Sequence, residues 1–307
     1  MGHCDSVTVA LCVICIAGCG GSATTDARPG KERIVMSRDH GPAPTPMFVK
    51  MKVKGPSSVA FHRERATLLV ASDDGYVAEL DEDLERIERY KTKGDLEGIA
   101  VHPTTGRVYL ASERESAVLE LDLDSRRVVR TLVIDFNSHP ELEDKKGDNR
   151  GIEGVAFVPA DDGKHRLFAA LQSDPARLLE LEERAGSDAK LSKTMRKGVR
   201  DRIKSAKKLH GELQILYVKD VVDLDLKPLS DVVFEPRLDA LVIVSSKQKR
   251  ALLYDPITRQ VLNQFALPGK TPEGLVFFDD GRLLVVDDAG GAWWIDNARR
   301  WMEANGV

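Results

Sequence analysis

Five segments of the chain repeat the same order of residue types, and this repeat restricts the possible folds more than any other feature. In each segment a short apolar run is followed, after a turn, by a second and a third apolar run, and the third ends in Asp or Glu. The segments start at Ser57-Ser58, Glu97-Gly98, Glu153-Gly154, Ser230-Asp231 and Glu273-Gly274. A four-stranded unit that recurs about every 40 residues is typical of a β-propeller.

The number of blades depends on the long interval between the third and fourth starts. This interval has room for a sixth unit, but its apolar residues recur every four positions, which is a helical spacing. These residues are Leu191, Met195, Val199 and Ile203. Residues 48–54 alternate at period two and can complete the last unit, which lacks its own fourth strand, so that no sheet edge stays open. We therefore predict an all-β, five-bladed propeller over residues 47–307 with a helical insertion at about 186–210; six blades is the alternative.

The N-terminal residues resemble a lipoprotein export signal. All four cysteines lie within the first 19 residues, and residues 7–18 form an apolar run of 12. Such a run is too short to cross a bilayer core of about 30 Å but suits a secretory signal. It leads into Ala17-Gly18-Cys19, so we predict a signal peptide over 1–18 and lipidation of Cys19. No Lys or Arg precedes the run, and Met1-Gly2 with Ser6 also fits N-myristoylation.

Residues 19–46 are rich in Gly, Ser, Thr and Pro and are predicted to form a flexible tether. Gly20 follows the predicted lipidated cysteine, as in lipoproteins that are sorted to the outer membrane. We therefore expect an exported protein that is anchored to the outer membrane through Cys19 and faces the periplasm.

The charge balance argues against one class of partner. The chain has 45 Lys and Arg against 49 Asp and Glu, which gives a formal net charge of −4. Binding nucleic acid through the whole chain would require a strong basic excess to neutralise phosphates. We expect a monomer with no nucleic-acid partner.

Three of the repeat starts carry a resemblance to a known family. They read Asp95-Leu96-Glu97-Gly98, Gly151-Ile152-Glu153-Gly154 and Thr271-Pro272-Glu273-Gly274. Over about residues 50–300 this pattern resembles the SdiA-regulated, YjiK/CarP-like family of bacterial envelope propellers, except that the fourth repeat has Ser230-Asp231 where the family tends to have Ser-Gly. The resemblance implies an exported or membrane-anchored propeller, calcium responses in at least some members, and phytase-like chemistry.

The glutamates at these starts indicate a cation site. The innermost strand of each blade lines a propeller's channel, so Glu97, Glu153 and Glu273 are expected to meet near one end of it. Three such carboxylates cannot all stay ionised unless a cation binds; otherwise some take up protons. Oxygen donors without a nearby thiol favour a hard ion, and space for carbonyls and water favours Ca²⁺ over Mg²⁺. We predict Ca²⁺ bound by these three residues; a wet, polar channel is the alternative interpretation.

Further polar residues are expected around this channel mouth because they stand in turns or strand starts on the same side of the blades. They are Asp74, Glu113, Asp148, Asn149, Asp174, Ser230, Asp231, Lys247, Asp287 and Asp288.

The insertion forms a second charged feature. Residues 190–208 contain nine Lys and Arg and one acidic residue, and the apolar positions recur at helical spacing. A basic amphipathic helix of this kind can lie on an anionic surface or bind a protein partner. A solvated helix against the side of the propeller is the simpler interpretation.

Two functions from different classes fit these patterns. The first is a lipid-anchored, calcium-binding propeller that acts as a scaffold or sensor in the cell envelope, with a calcium or stress response as one setting for it. The second is a metal-dependent hydrolase of phosphoesters, similar to a phytase, or of lactones. No catalytic residue can be assigned from the sequence, so the sequence favours the first function.

Overall fold

Short apolar segments separated by tight turns form antiparallel strands along most of the chain. The computed structural model describes residues 42–142, 151–172, 176–188, 197–209 and 211–306. These residues belong to one compact unit, Met36–Val307. The predicted signal peptide, Cys19 and residues 19–41 of the predicted tether lie outside the described residues.

The described strands form units of four, numbered here in chain order. The chain enters through β1 (Met47–Lys50). The first unit contains β2 (Pro56–His62), β3 (Thr67–Ser72), β4 (Tyr76–Leu80) and β5 (Arg86–Lys91). The second contains β6 (Leu96–Val101), β7 (Val108–Ser112), β8 (Ala117–Asp122) and β9 (Arg127–Asp135). Two 3₁₀ turns, Phe136–Ser138 and Pro140–Leu142, follow.

The later units continue the same pattern. The third contains β10 (Ile152–Pro159), β11 (His165–Leu171), β12 (Arg177–Asp188) and β13 (Glu212–Asp223), with helix α1 (Lys197–Ala206) between its last two strands. The fourth contains β14 (Asp231–Glu235), β15 (Ala240–Ser245), β16 (Arg250–Asp255) and β17 (Gln260–Ala266). The last contains β18 (Pro272–Phe277), β19 (Leu283–Asp287) and β20 (Gly291–Ile295), and α2 (Ala298–Ala304) ends the described chain.

Two pairings join the ends of these units. Strand β1 pairs with β20 and supplies the fourth strand of the last sheet, which agrees with the alternation in residues 48–54. Strands β9 and β13 pair in parallel, so the second and third units form one eight-stranded sheet. These outer edges are therefore paired within the chain, which removes two sites for unwanted strand addition.

The core lies between neighbouring units. Four large clusters of buried apolar side chains each combine two units that are adjacent in the chain, and one of these four also includes α1 and Ile215 of β13. A further cluster combines the last unit with the first. In that cluster Val286 and Trp294 pack with Leu68 and Leu80. The innermost strands likewise contact one another in a cycle, in the order β2, β6, β10, β14, β18 and back to β2. The predicted all-β propeller fold is confirmed.

Helix α1 packs on the side of the propeller through its apolar face. Ile203, Ala206 and the following Leu209 are buried with side chains of the first two units. Lys204, Lys207 and Lys208 are exposed. The helix occupies only part of the predicted insertion, because β12 continues as a strand to Asp188. No described helix is both long enough and apolar enough to cross a membrane.

Candidate metal centre

A bulge at the start of four innermost strands directs one side chain away from the regular ladder. The register skips one residue at Pro56/Ser58, Leu96/Gly98, Ile152/Gly154 and Pro272/Gly274. The skipped residues are Ser57, Glu97, Glu153 and Glu273. Bulges often re-aim side chains at functional sites. In the fourth unit the ladder shows no skip at this point, and Asp231 pairs directly with Val244.

The glycine after each of these glutamates allows neighbouring innermost strands to approach closely. A Cβ atom on Gly98 would lie 2.5 Å from Gly154 Cα, and one on Gly154 would lie 2.5 Å from Val232 N. One on Gly274 would lie 2.7 Å from Ser58 Cα. These distances are far below van der Waals contact, so any side chain here would push the strands apart. The tight approach brings the preceding glutamates toward a common region.

Burial and mutual repulsion act together on the three glutamates. Burial, followed by the charges of Asp95 and Glu113, raises the pKa of Glu97 to about 8. Burial raises the pKa of Glu153 to about 9, with the charges of Glu97, Glu113 and Glu273 adding to the effect. Burial and then Asp288 raise the pKa of Glu273 to about 7. The charges of the three predicted ligands therefore influence one another, but among the described residues only Glu97 belongs to a group of carboxylates close enough to bind one ion.

Two more carboxylates complete an acidic centre, which we define as Asp95, Glu97, Glu113, Glu153 and Glu273. Carboxylate oxygens of Asp95, Glu97 and Glu113 all lie within 4.8 Å of one another, close enough to bind one ion. The sequence predicted Glu113 only as one of the residues around the channel mouth and did not identify Asp95 as a site residue. The sequence feature that could have identified Asp95 is its position two residues before Glu97, directly before β6.

Glu153 is the most deeply placed member of the acidic centre. The residue is 5% exposed, and its Oε1 atom is buried without a hydrogen-bond partner. By contrast, Glu97 has a hydrogen bond with Ser57, and Glu273 has hydrogen bonds with Ser230 and Ser246. A buried carboxylate oxygen with no partner carries a desolvation penalty of about 1–3 kcal/mol or more. A cation bound by this oxygen would remove that penalty.

Other buried glutamates of the same fold have the opposite environment. Glu79, Glu120 and Glu180 lie on the third strands of their units and form ion pairs with arginines or lysine. Hydrogen bonds from these partners outweigh burial and lower the pKa of each carboxyl. Among the described residues, none of the ion pairs includes Glu97, Glu153 or Glu273. Within the described part of the chain, Glu97, Glu153 and Glu273 thus lack the ion pairs that the fold supplies to Glu79, Glu120 and Glu180, whereas Asp95 of the acidic centre pairs with Arg114 at 3.2 Å.

Asp231 occupies the position that glycine holds in three other units. It is 1% exposed, and its carboxylate accepts hydrogen bonds from Ser58 Oγ at 2.9 Å and from Val232 N at 2.8 Å. Burial raises its pKa well above the usual value. Because Ser58 lies on β2, this carboxylate ties the first innermost strand to the fourth, and its oxygens already have partners.

The remaining predicted mouth residues have varied roles. Asp287 is buried and accepts hydrogen bonds from the backbone N–H groups of Lys270, Thr271 and Ala289, which lower its pKa. Asp74 pairs with Lys54 at 2.9 Å. Ser230 Oγ donates to Ser246 Oγ at 2.8 Å, whereas Asp288 and Lys247 are exposed. Asp148, Asn149 and Asp174 lie outside the described residues.

The donor set of the acidic centre consists of carboxylate oxygens, with hydroxyl groups of Ser57, Ser230 and Ser246 beside them. Hard cations such as Ca²⁺ bind oxygen ligands of this kind at flexible coordination numbers. The group of three within 4.8 Å and the unpartnered oxygen of Glu153 both fit a divalent ion.

The fold and the acidic centre define a β-propeller with one buried and four half-buried carboxylates clustered where its innermost strands begin. The chain belongs to the Phytase-like family, described as "Esterase-like activity of phytase", whose model matches residues 18–203. This supports the predicted membership of a propeller family in general. No curated protein matches the chain.

One solved structure to which the chain is similar is the β-propeller domain of Cps50 (Swd1) from Myceliophteria thermophila. Sequence identity is 15%, and the TM-score is 0.41. The match covers 78% of this chain and 64% of that domain.

Proposed function

We propose that this protein is a calcium-binding β-propeller that acts as a scaffold or sensor in the cell envelope. The observation that carries the proposal is the acidic centre, above all Glu153. Its buried Oε1 atom has no hydrogen-bond partner, and the charged groups around it are other carboxylates. Calcium would balance these charges with ligands from several units at once. The Phytase-like family, in which metal dependence is common, adds support.

We propose that the propeller has five blades. The support is the cycle of contacts among β2, β6, β10, β14 and β18, which returns to its starting strand. The packing of Val286 and Trp294 against Leu68 and Leu80 closes the same cycle in the core.

We also propose lipid anchoring through Cys19 at the outer membrane, supported by the apolar run and the residues around the cysteine.

Membership of the SdiA-regulated, YjiK/CarP-like family stays a proposal that rests on the three Glu-Gly starts. If residues 190–208 contact an anionic surface, the exposed Lys204 of α1 and Lys207 and Lys208 after it would make the contact, because the apolar face of that helix is packed on the propeller.

Calcium binding can be tested by calorimetric titration of the calcium-free protein at pH 8. We expect one strong site per chain for the native protein. In Glu153→Gln we expect affinity to fall at least about tenfold, because a neutral amide removes a charged ligand. Glu88→Gln, on the outermost strand β5, is the matched control and should bind calcium like the native protein.

Absence of calcium binding at tens of micromolar in the native protein would refute the calcium proposal. Equal affinity in the native protein and Glu153→Gln would place the ion elsewhere. Thermal unfolding of both variants without calcium shows whether a change in affinity merely reflects misfolding.

A second candidate function, a metal-dependent phosphoester hydrolase, is favoured by the family match. When bound, a cation would supply Lewis acidity to a phosphoryl oxygen or a water molecule. Lys247, Lys249 and Arg250, in and after the β15–β16 turn, could attract the anionic substrate.

The hydrolase proposal predicts turnover of a panel of phosphoesters that requires added calcium. We expect Glu97→Gln to lose that turnover at a fixed calcium concentration, whereas Glu88→Gln retains it. If the native protein binds calcium but hydrolyses none of the panel, the scaffold or sensor function is the better description.

A further inference from the structure

The channel end opposite the acidic centre has a different chemistry. The innermost strands begin at the acidic centre, and their final residues surround a cavity of about 200 Å³. Aromatic side chains from four of these strands contribute to its wall, together with small aliphatic side chains. The aromatic residues are Phe61, Phe157, Phe234 and Phe277. These side chains form most of the wall of this chamber, which His62, Arg63, Glu64, His102 and Glu235 also line.

The size of the cavity limits what it can accept. An apolar protein cavity of about 150 Å³ is large enough to bind benzene. The cavity here, at about 200 Å³, can hold one six-membered ring with a small substituent, and its phenylalanines favour contact with a ring.

A second, open cavity of about 770 Å³ adjoins the chamber between the second and third units. His102 and Phe157 line both spaces. Their rings form an edge contact with centroids 4.7 Å apart, and His165 lies 4.8 Å from His102 on the same side of the structure. His102 thus stands at the junction of the two cavities.

Hydrogen bonds to His102 fix which ring nitrogen can donate. The backbone N–H groups of Thr104 and Thr105 both point to Nδ1, at 3.3 Å. Nδ1 must therefore accept, and in the neutral ring the proton lies on Nε2. Burial and the nearby His165 lower the pKa of His102, which favours this neutral form. The junction consequently offers one N–H donor.

The charges of the open cavity make an anionic ligand unfavourable. Its four basic side chains, Arg130, Lys164, Arg166 and Lys219, each pair with a carboxylate. Five acidic side chains also line it: Asp161, Asp162, Glu180, Glu182 and Glu183. An anion would have to compete with these carboxylates, so a neutral acceptor suits the His102 donor better.

We infer that this end of the channel is a second ligand site, which binds a neutral single-ring aromatic molecule that carries a carbonyl oxygen. The ring lies among the phenylalanines of the chamber, and the carbonyl oxygen accepts a hydrogen bond from His102 Nε2–H. This site shares no residue with the acidic centre, so the inference stands independently of calcium binding.

Fluorine NMR titration of the full chain with 4-fluoroacetophenone tests the inference. We expect saturable binding in the native protein. The analogue without the carbonyl, 1-ethyl-4-fluorobenzene, should bind about tenfold more weakly, since the histidine donor would lose its partner. Val233→Phe adds bulk to a partly exposed residue of the chamber wall and should abolish saturable binding. Ile87→Ala, an exposed apolar residue on β5, is the control and should bind both probes like the native protein.

His102→Phe separates the two parts of the site. It keeps a ring at the junction but removes the donor, so it should bind the two probes with equal affinity. Lack of saturable binding in the native protein, or full binding in a folded Val233→Phe, would overturn the inference. Unchanged preference for the carbonyl probe in His102→Phe would show that His102 is not the donor. Near-ultraviolet circular dichroism shows whether each variant is folded.

Discussion

Raising the pH from 5 to 9 in calcium-free buffer should lower the free energy of unfolding by at least about 3 kcal/mol, because one unit of pKa difference corresponds to about 1.4 kcal/mol. The folded pKa values of Glu97, Glu153 and Glu273 lie near 8, 9 and 7, above the ordinary value of 4.5. Between these limits the folded protein holds more protons than the unfolded chain. The contribution of these three groups to the free energy of unfolding is therefore fully present below about pH 4.5 and is lost as the pH rises toward 9.

Chemical denaturation at a series of pH values measures this effect. The combined variant Glu97→Gln, Glu153→Gln and Glu273→Gln removes the titrating groups, so its stability should lack this fall. Calcium should restore the stability of the native protein at pH 8 to 9 and have little effect at pH 5, where the carboxyls are protonated. If the free energy of unfolding of the native protein instead rises between pH 5 and pH 9, relative to that of the triple variant, the proposed clustering of these carboxyls is wrong.

Gly154→Ala should destabilise the protein by about 3 kcal/mol, at the upper end of the range for an overpacked core. The new Cβ atom would lie 2.5 Å from Val232 N and 2.8 Å from Asp231 Cα, and both neighbours are backbone atoms that cannot rotate away. The expected result is a clear loss of stability in urea denaturation, together with weaker calcium binding because Glu153 is displaced.

Gly163→Ala is the matched control for this prediction. Gly163 has a φ of +77°, but nothing lies within 4 Å of its hypothetical Cβ atom. Its substitution should cost only about 1 kcal/mol, from the left-handed backbone conformation. Equal losses in the two variants would mean that the close approach of β10 and β14 does not limit stability.

Much of the fold was predictable because it depends on local patterns. The repeated starts and third-strand acids marked the four-stranded units, and the alternation before the first repeat predicted the pairing of β1 with β20. The helical spacing in the long interval corresponds to α1, although β12 continues to Asp188. The parallel pairing of β9 with β13 was not predicted, because it joins segments whose sequences carry no mark of their register.

The site was only partly predictable. Glu97, Glu153 and Glu273 were selected because they recur at equivalent positions of the repeat. Asp287 also stands in an acidic turn, but its oxygens already accept hydrogen bonds from the backbone N–H groups of Ala289 in that turn and of Lys270 before β18. Asp95 joined the acidic centre instead, since its position before β6 puts its oxygen near those of Glu97 and Glu113.

By itself, the sequence determined the repeating four-stranded unit and the placement of a glutamate at three strand starts, because strand period and turn chemistry act over a few residues. Only the tertiary structure decided which carboxylates share one space, which are neutralised by arginine, and which nitrogen of His102 can donate. Those properties depend on neighbours that are distant in the chain or on the geometry of a folded turn, and hydrogen bonding and burial are settled only when these groups meet.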